Sequence, residues 1–252
     1  MKNKFQIVLA VLLLAAPPVA NAEQVEAGTS NILTFRDCVS GDTVCDDFGP
    51  MQQSTIGGVP GELVAEVSQA DVAYGEAYGR AELTGDPGAS TQKAIATSLP
   101  ATRNGSSNVM LQRYTNAGES AETLTFGAVL TYEQTVPAEN AGLPDKSRTR
   151  SGASAEMVIF TMDAEAIEAG ATAEELYTAL SFEQEPDGLK DLDSASVMPD
   201  NNETGEGTTT LSTTAIVAPD DSVWLWAILQ GIAVNGATVN ASLETTFNRS
   251  AD

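Results

Sequence analysis

The sequence holds thirty-five aspartates and glutamates and no histidine. Without imidazole there is no ordinary general base at neutral pH, no His-dependent serine or cysteine triad and no common catalytic zinc site. No Gly-x-Ser-x-Gly elbow, phosphate loop or dinucleotide fingerprint occurs. Ser90-Thr91-Gln92-Lys93 has the Ser-x-x-Lys spacing of penicillin-interacting enzymes, but it lies in a Gly/Ser-rich turn-to-strand region without their companion motifs, so it reads as chance spacing. Paired carboxylates remain, because two acids at a suitable separation hydrolyse glycosides without histidine. Glu122 and Glu133 fall in strand-like stretches, where a solvated strand face explains them more simply. No catalytic residue is assigned on these grounds.

Two further chemistries bear on a binding role. Asp187, Asp191, Asp193, Asp200, Asn201, Asn202 and Glu203 offer oxygen ligands of the kind calcium takes, yet they do not follow the Asp-x-Asp-x-Asn-Gly loop with its distant Glu. No cofactor is therefore expected, with calcium as the alternative. Trp224 and Trp226 could form a sugar-stacking platform, but the stretch Ser222 to Ala233 around them is apolar at both phases of a two-residue period, which favours packing in a core. Asn104, Asn202, Asn240 and Asn248 begin Asn-x-Ser/Thr triplets, a pattern common by chance.

The compartment is read from the start of the chain. Lys2 and Lys4 precede an apolar run from Phe5 to Ala16, and Pro17 to Ala22 ends in small residues suited to cleavage after Ala22. Residues 1–22 are thus expected to be a bacterial-type signal peptide, since the apolar run falls well short of the roughly 20 residues that cross a bilayer. The mature chain, 23–252, is expected in the periplasm or outside the cell. There Cys38 and Cys45, the only two cysteines, are expected to form a disulfide closing a short loop. A net charge of −23 disfavours nucleic acid and anionic membrane surfaces as partners, and no membrane insertion is expected after cleavage.

The elements that position these residues read as strands. Val239, Ala241, Leu243, Thr245 and Phe247 alternate with Asn240, Ser242, Glu244 and Thr246, and the same rhythm sets Leu124, Phe126, Ala128, Leu130 and Tyr132 against Thr123, Thr125, Gly127 and Thr131. Asn235-Gly236 between the apolar stretch and the last alternating one predicts a tight hairpin joining two paired strands. Asp71 to Leu83 reads as one strand with Gly and Ala along one face, which would let another layer approach closely. Further strands are expected near 31–36, 62–68, 93–98, 107–115, 154–162 and 208–218. Short helices are expected at 163–169 and 172–180, with loops at 137–152 and 186–207. Together these predict a mainly β chain, a single β-sandwich or jelly-roll-like domain with one or two short helices.

Three segments carry a resemblance: Ala70 to Leu83, Ala121 to Leu130, and Ala218 to Ser242 with its Val-Trp-Leu-Trp-Ala-Ile-Leu core. Together they resemble the β-rich body of secreted bacterial PEP-CTERM-type matrix proteins. The chain departs from that family at Phe247-Asn-Arg-Ser-Ala-Asp252, where the Pro-Glu-Pro sorting tail is lacking. The resemblance implies an exported, non-enzymatic extracellular-matrix or cell-surface interaction protein whose partners are polysaccharide or other matrix proteins. The alternative from the residues is a His-free carbohydrate-binding or glycoside-hydrolysing protein.

Overall fold

From Val223 to Leu229 every residue is buried, whichever face of its strand it lies on. A strand with both faces covered belongs in the middle of a sheet, and that is its place. The computed structural model describes residues 22–36, 52–57, 64–72, 75–83, 89–100, 102–140, 150–162, 189–200 and 202–251. They form twelve strands: β1 (Ala22–Arg36), β2 (Gln52–Gly57), β3 (Val64–Asp71), β4 (Gly75–Leu83), β5 (Ser90–Ser98), β6 (Thr102–Thr115), β7 (Glu122–Thr135), β8 (Gly152–Met162), β9 (Leu189–Val197), β10 (Gly205–Val217), β11 (Ser222–Val234) and β12 (Thr238–Ala251). Two antiparallel six-stranded sheets result, ordered β2-β1-β6-β11-β8-β9 and β10-β7-β12-β5-β4-β3, and they stack face to face as a sandwich.

The space between the sheets has two chemically different halves. Under β7, β8, β10, β11 and β12 it is apolar, with Leu124, Phe126, Leu130, Met157, Ile159, Leu225 and Leu243 among the buried side chains. Under β4, β5 and β6 it is lined by amides and very small residues. The inward face of β6 presents Thr102, Asn104, Ser106, Asn108 and Gln112, all buried, against Ala77 and Ala81 of β4 and Ala94 and Ala96 of β5. Burying an amide unbonded costs about 1–3 kcal/mol, and here the NH2 groups of Asn104, Asn108 and Gln92 reach the main chain of the opposite sheet. Asn104 Nδ2 donates to Thr97 O at 2.6 Å, Asn108 Nδ2 to Lys93 O at 3.0 Å, and Gln92 Nε2 to Ala227 O at 3.2 Å. The small-residue face expected from the sequence is thus real, and its role is to bring one sheet within reach of the other's amides.

The sequence-based hairpin at Asn235-Gly236 is corrected. Both residues take positive φ, 50° and 84°, and Ala237 N–H closes the turn on Val234 O at 3.2 Å. Yet β11 and β12 lie in different sheets, β11 between β6 and β8 and β12 between β7 and β5. The turn is an arch that carries the chain across the sandwich. It stacks on a second arch between β5 and β6: Asn235 N donates to Thr102 O at 2.8 Å and Gly236 N to Leu99 O at 3.1 Å. At the opposite end the β6–β7 and β10–β11 arches are joined by Asn116, whose amide donates to Val217 O and Ser120 O, each at 2.9 Å.

Two other expectations are also corrected. Asp71 to Leu83 is not one strand but part of a hairpin, β3 and β4, with Val72 fully exposed at its tip. The stretch 186–207 is not a loop throughout, because β9 occupies Leu189–Val197 and β10 begins at Gly205. Within 137–152 the described part holds a 3-10 turn at Ala138–Asn140 before β8 starts at Gly152. Residues 1–21, Cys38, Cys45 and the expected helices at 163–169 and 172–180 lie outside the described residues.

Candidate functional site

Each candidate from the sequence has a definite place. Ser90 points into the sandwich, where its hydroxyl meets Thr245 Oγ1 at 2.8 Å, whereas Lys93 lies exposed on the outer face of the same strand. A spacing of three in a strand puts the two on opposite faces, which removes any joint chemistry. Trp224 and Trp226 are buried in β11, with Trp224 stacked on Phe160 at 6.3 Å between ring centroids and the Arg113 guanidinium 6.0 Å from its ring. They are packing residues.

The described members of the set that invited calcium are each engaged elsewhere. Asp193 sits on β9 and spends Oδ2 on the main-chain N–H of Thr214 at 2.8 Å and Oδ1 on Ser194 N–H at 3.0 Å. Asn202, at φ 57°, is buried, and its Oδ1 accepts from Ser151 N at 2.8 Å. Asp200 and Glu203 present carbonyls to Gln134 Nε2, each at 2.7 Å. The side chains of Asp187, Asp191 and Asn201 lie outside the described residues. Among the described residues no three His, Cys, Asp or Glu side chains converge on one point.

Glu122 and Glu133 are likewise separated, at opposite ends of β7. Glu122 accepts a hydrogen bond from the Tyr114 hydroxyl. Burial, then this bond to Glu122, pushes the Tyr114 phenol above its ordinary value, and Arg249 pulls the other way. Glu133 is exposed and lies directly opposite Glu206 of β10, with Asn240 on its other side. Two like charges facing each other across neighbouring strands are mildly destabilising.

What the register assembles instead is a broad surface on the outer face of the second sheet. Alternate residues of β10, β7 and β12 point outward, and the ladder sets them in rows. Thr208 lies opposite Thr131, and Thr131 opposite Ser242. Thr214, Thr125 and Asn248 form another row, and Ser212, Gly127 and Thr246 lie between these two. Thr210, Val129 and Glu244 make the row next to Thr208, with Glu244 its one charge, and on the far side of Thr208 the same face carries Glu206, Glu133 and Asn240. Strand geometry spaces these groups about 4.8 Å across strands and about 6.8 Å along them.

Toward β5, β4 and β3 the same face becomes ionic. The Ser242 row continues to Lys93, Arg80 and Glu66. Arg80 bonds Glu82 at 2.8 Å and Glu66 at 3.0 Å, and the bond to Glu82 is the main cause that raises its pKa. No family model matches the chain, and no curated protein matches it. The face must be judged on its own chemistry.

Every row of the hydroxyl half offers short donors and acceptors fixed on a rigid ladder. Serine and threonine lose little rotamer freedom on binding, so such a surface binds at low ordering cost. The alternation of β7 and β12 and the existence of a strand near 208–218 were legible in the sequence, but the neighbour relations that make a face were not, because β7 lies far along the chain from both of its neighbours.

Proposed function

We propose that the chain is an exported, non-enzymatic extracellular-matrix or cell-surface interaction protein, and that it binds an uncharged polysaccharide through the hydroxyl half of the second sheet's outer face. The observation that carries this reading is the set of four rows across β10, β7 and β12, from Thr208 to Thr214, in which Glu244 is the one ionisable side chain, in a chain whose net charge is −23. A surface with so little charge against that background suits a ligand without charge, and hydroxyl rows match a polymer that is itself hydroxylated. The resemblance to the PEP-CTERM-type body and the signal-like start support delivery to the cell exterior. The pairing of Cys38 with Cys45 belongs to the same proposal. Intact mass after thiol blocking tests it: two blocked thiols in protein taken from the periplasm would refute the disulfide.

One observation favours the alternative, a glycoside-hydrolysing protein: Glu133 and Glu206 face each other across β7 and β10. Purified protein applied to an array of immobilised uncharged and anionic polysaccharides, with released sugars measured in parallel, separates the two readings. Binding to uncharged polymers without product is expected. Turnover abolished by Glu133→Gln would put the enzyme first.

A further inference from the structure

β10 is an edge strand, the outermost member of its sheet. Alternate residues of a strand direct their main-chain N–H and C=O to the same side. Thr214 N–H turns away from β7 and is taken by Asp193 Oδ2 of β9 at 2.8 Å. By that alternation Ser212, Thr210 and Thr208 also turn their main chain outward. Among the described residues Asp193 is the one side chain that bonds this edge, and the three side chains are exposed.

Edges of this kind are ordinarily guarded by charge, proline or brevity. β3 carries Glu66 and Asp71, β9 carries Lys190, Asp191 and Asp193, and β2 has six residues. β10 has thirteen residues, with no proline, and none ionisable between Gly207 and Val217. Two copies of a chain at −23 repel one another wherever their charged surfaces meet. A neutral strand of high β propensity is where that repulsion is least and pairing gains most.

We infer that β10 pairs antiparallel with β10 of a second copy of this chain, on a two-fold axis through Thr210. Thr210 then faces its own symmetry mate and Thr208 faces Ser212 of the partner, each pair exchanging both main-chain bonds. Thr–Thr and Thr–Ser neighbours are favourable cross-strand pairs. The ladder stops where Asp193 already holds Thr214, so the guard sets its length. The two sheets become continuous, and the hydroxyl faces of both copies join in one surface. The pairing does not depend on what that surface binds.

Sedimentation equilibrium of the full mature chain tests it. A concentration-dependent dimer is expected, lost in Thr210→Pro, which removes the central N–H. Should Thr210→Pro fail to fold, Thr210→Lys places two ammonium groups across the axis and is expected to raise the dimer dissociation constant at least tenfold. Register is read by oxidation. Thr210→Cys should link to its mate, because directly opposed Cα atoms about 5.5 Å apart lie within disulfide reach, whereas Thr208→Cys alone should not. A wild-type chain that stays monomeric overturns the inference. So does a dimer indifferent to Thr210→Lys, an open series of larger oligomers, or equal cross-linking of the two cysteine variants.

Discussion

Trp224 and Trp226 show how one residue's setting decides between two roles. An indole on a flat exposed strand would be a sugar platform, while a buried indole, as Trp226 is and as Trp224 is against Phe160 and Arg113, is a stability element. Replacing either by Ala should cost about 3–5 kcal/mol, as for large aromatics removed from packed interiors. Urea denaturation would show it, and an unchanged midpoint would contradict the burial. Tyr114 gives a second test. Its folded pKa is raised above the ordinary 10.0, chiefly by burial and then by Glu122. The folded state therefore holds the phenolic proton longer than the unfolded chain does. The resulting stability is fully present below about pH 10 and is lost as pH rises through the folded value. Tyr114→Phe should flatten the fall in melting temperature above about pH 10. Parallel curves for wild type and variant would rule this out.

At the scale of elements, the sequence was most readable where burial follows a two-residue period. β7 and β12 match their expected faces for that reason, and β11 matches because it is apolar and buried on both faces. β9 was missed because Leu189-Lys-Asp-Leu-Asp-Ser-Ala-Ser-Val197 is an edge strand with mostly exposed side chains, and without a fully buried face the alternation fades. The Asn235-Gly236 turn was read as a hairpin because its dihedrals suit one. The flanks' partners, β6 and β8 on one side, β7 and β5 on the other, are set by distant strands and are invisible locally. The hydroxyl face was hidden for the same reason, since Thr208, Thr131 and Ser242 meet only through that strand order. The arch still demands positive φ, and Gly236→Val should cost upward of about 1–2 kcal/mol. Close approach of the sheets makes a parallel demand. A Cβ at Gly231 would lie 3.2 Å from Ala94 Cβ, so Ala94→Val should destabilise by about 1–3 kcal/mol through overpacking. Thermal melts check both, and a neutral Ala94→Val would mean the seam has slack.

For the whole molecule, charge governs behaviour outside the core. A chain at −23 repels itself when compact, so salt in the range of about 0.05–0.5 M should raise its melting temperature by screening. The same salt should barely alter binding, because an uncharged polymer offers Glu244, the one ionisable group among those rows, no counter-charge. Thr131 and Thr246 lie within that face on adjacent strands without opposing each other. The most direct measurement compares wild type with the double variant Thr131→Glu and Thr246→Glu on immobilised uncharged polysaccharides. Wild type should bind at least one of them, and the variant should lose at least about tenfold in affinity, about 1.4 kcal/mol, while still unfolding cooperatively at a slightly lower melting temperature and releasing no sugar. Full binding by the variant, or no binding by wild type to any of the polymers, would contradict the assignment of this face.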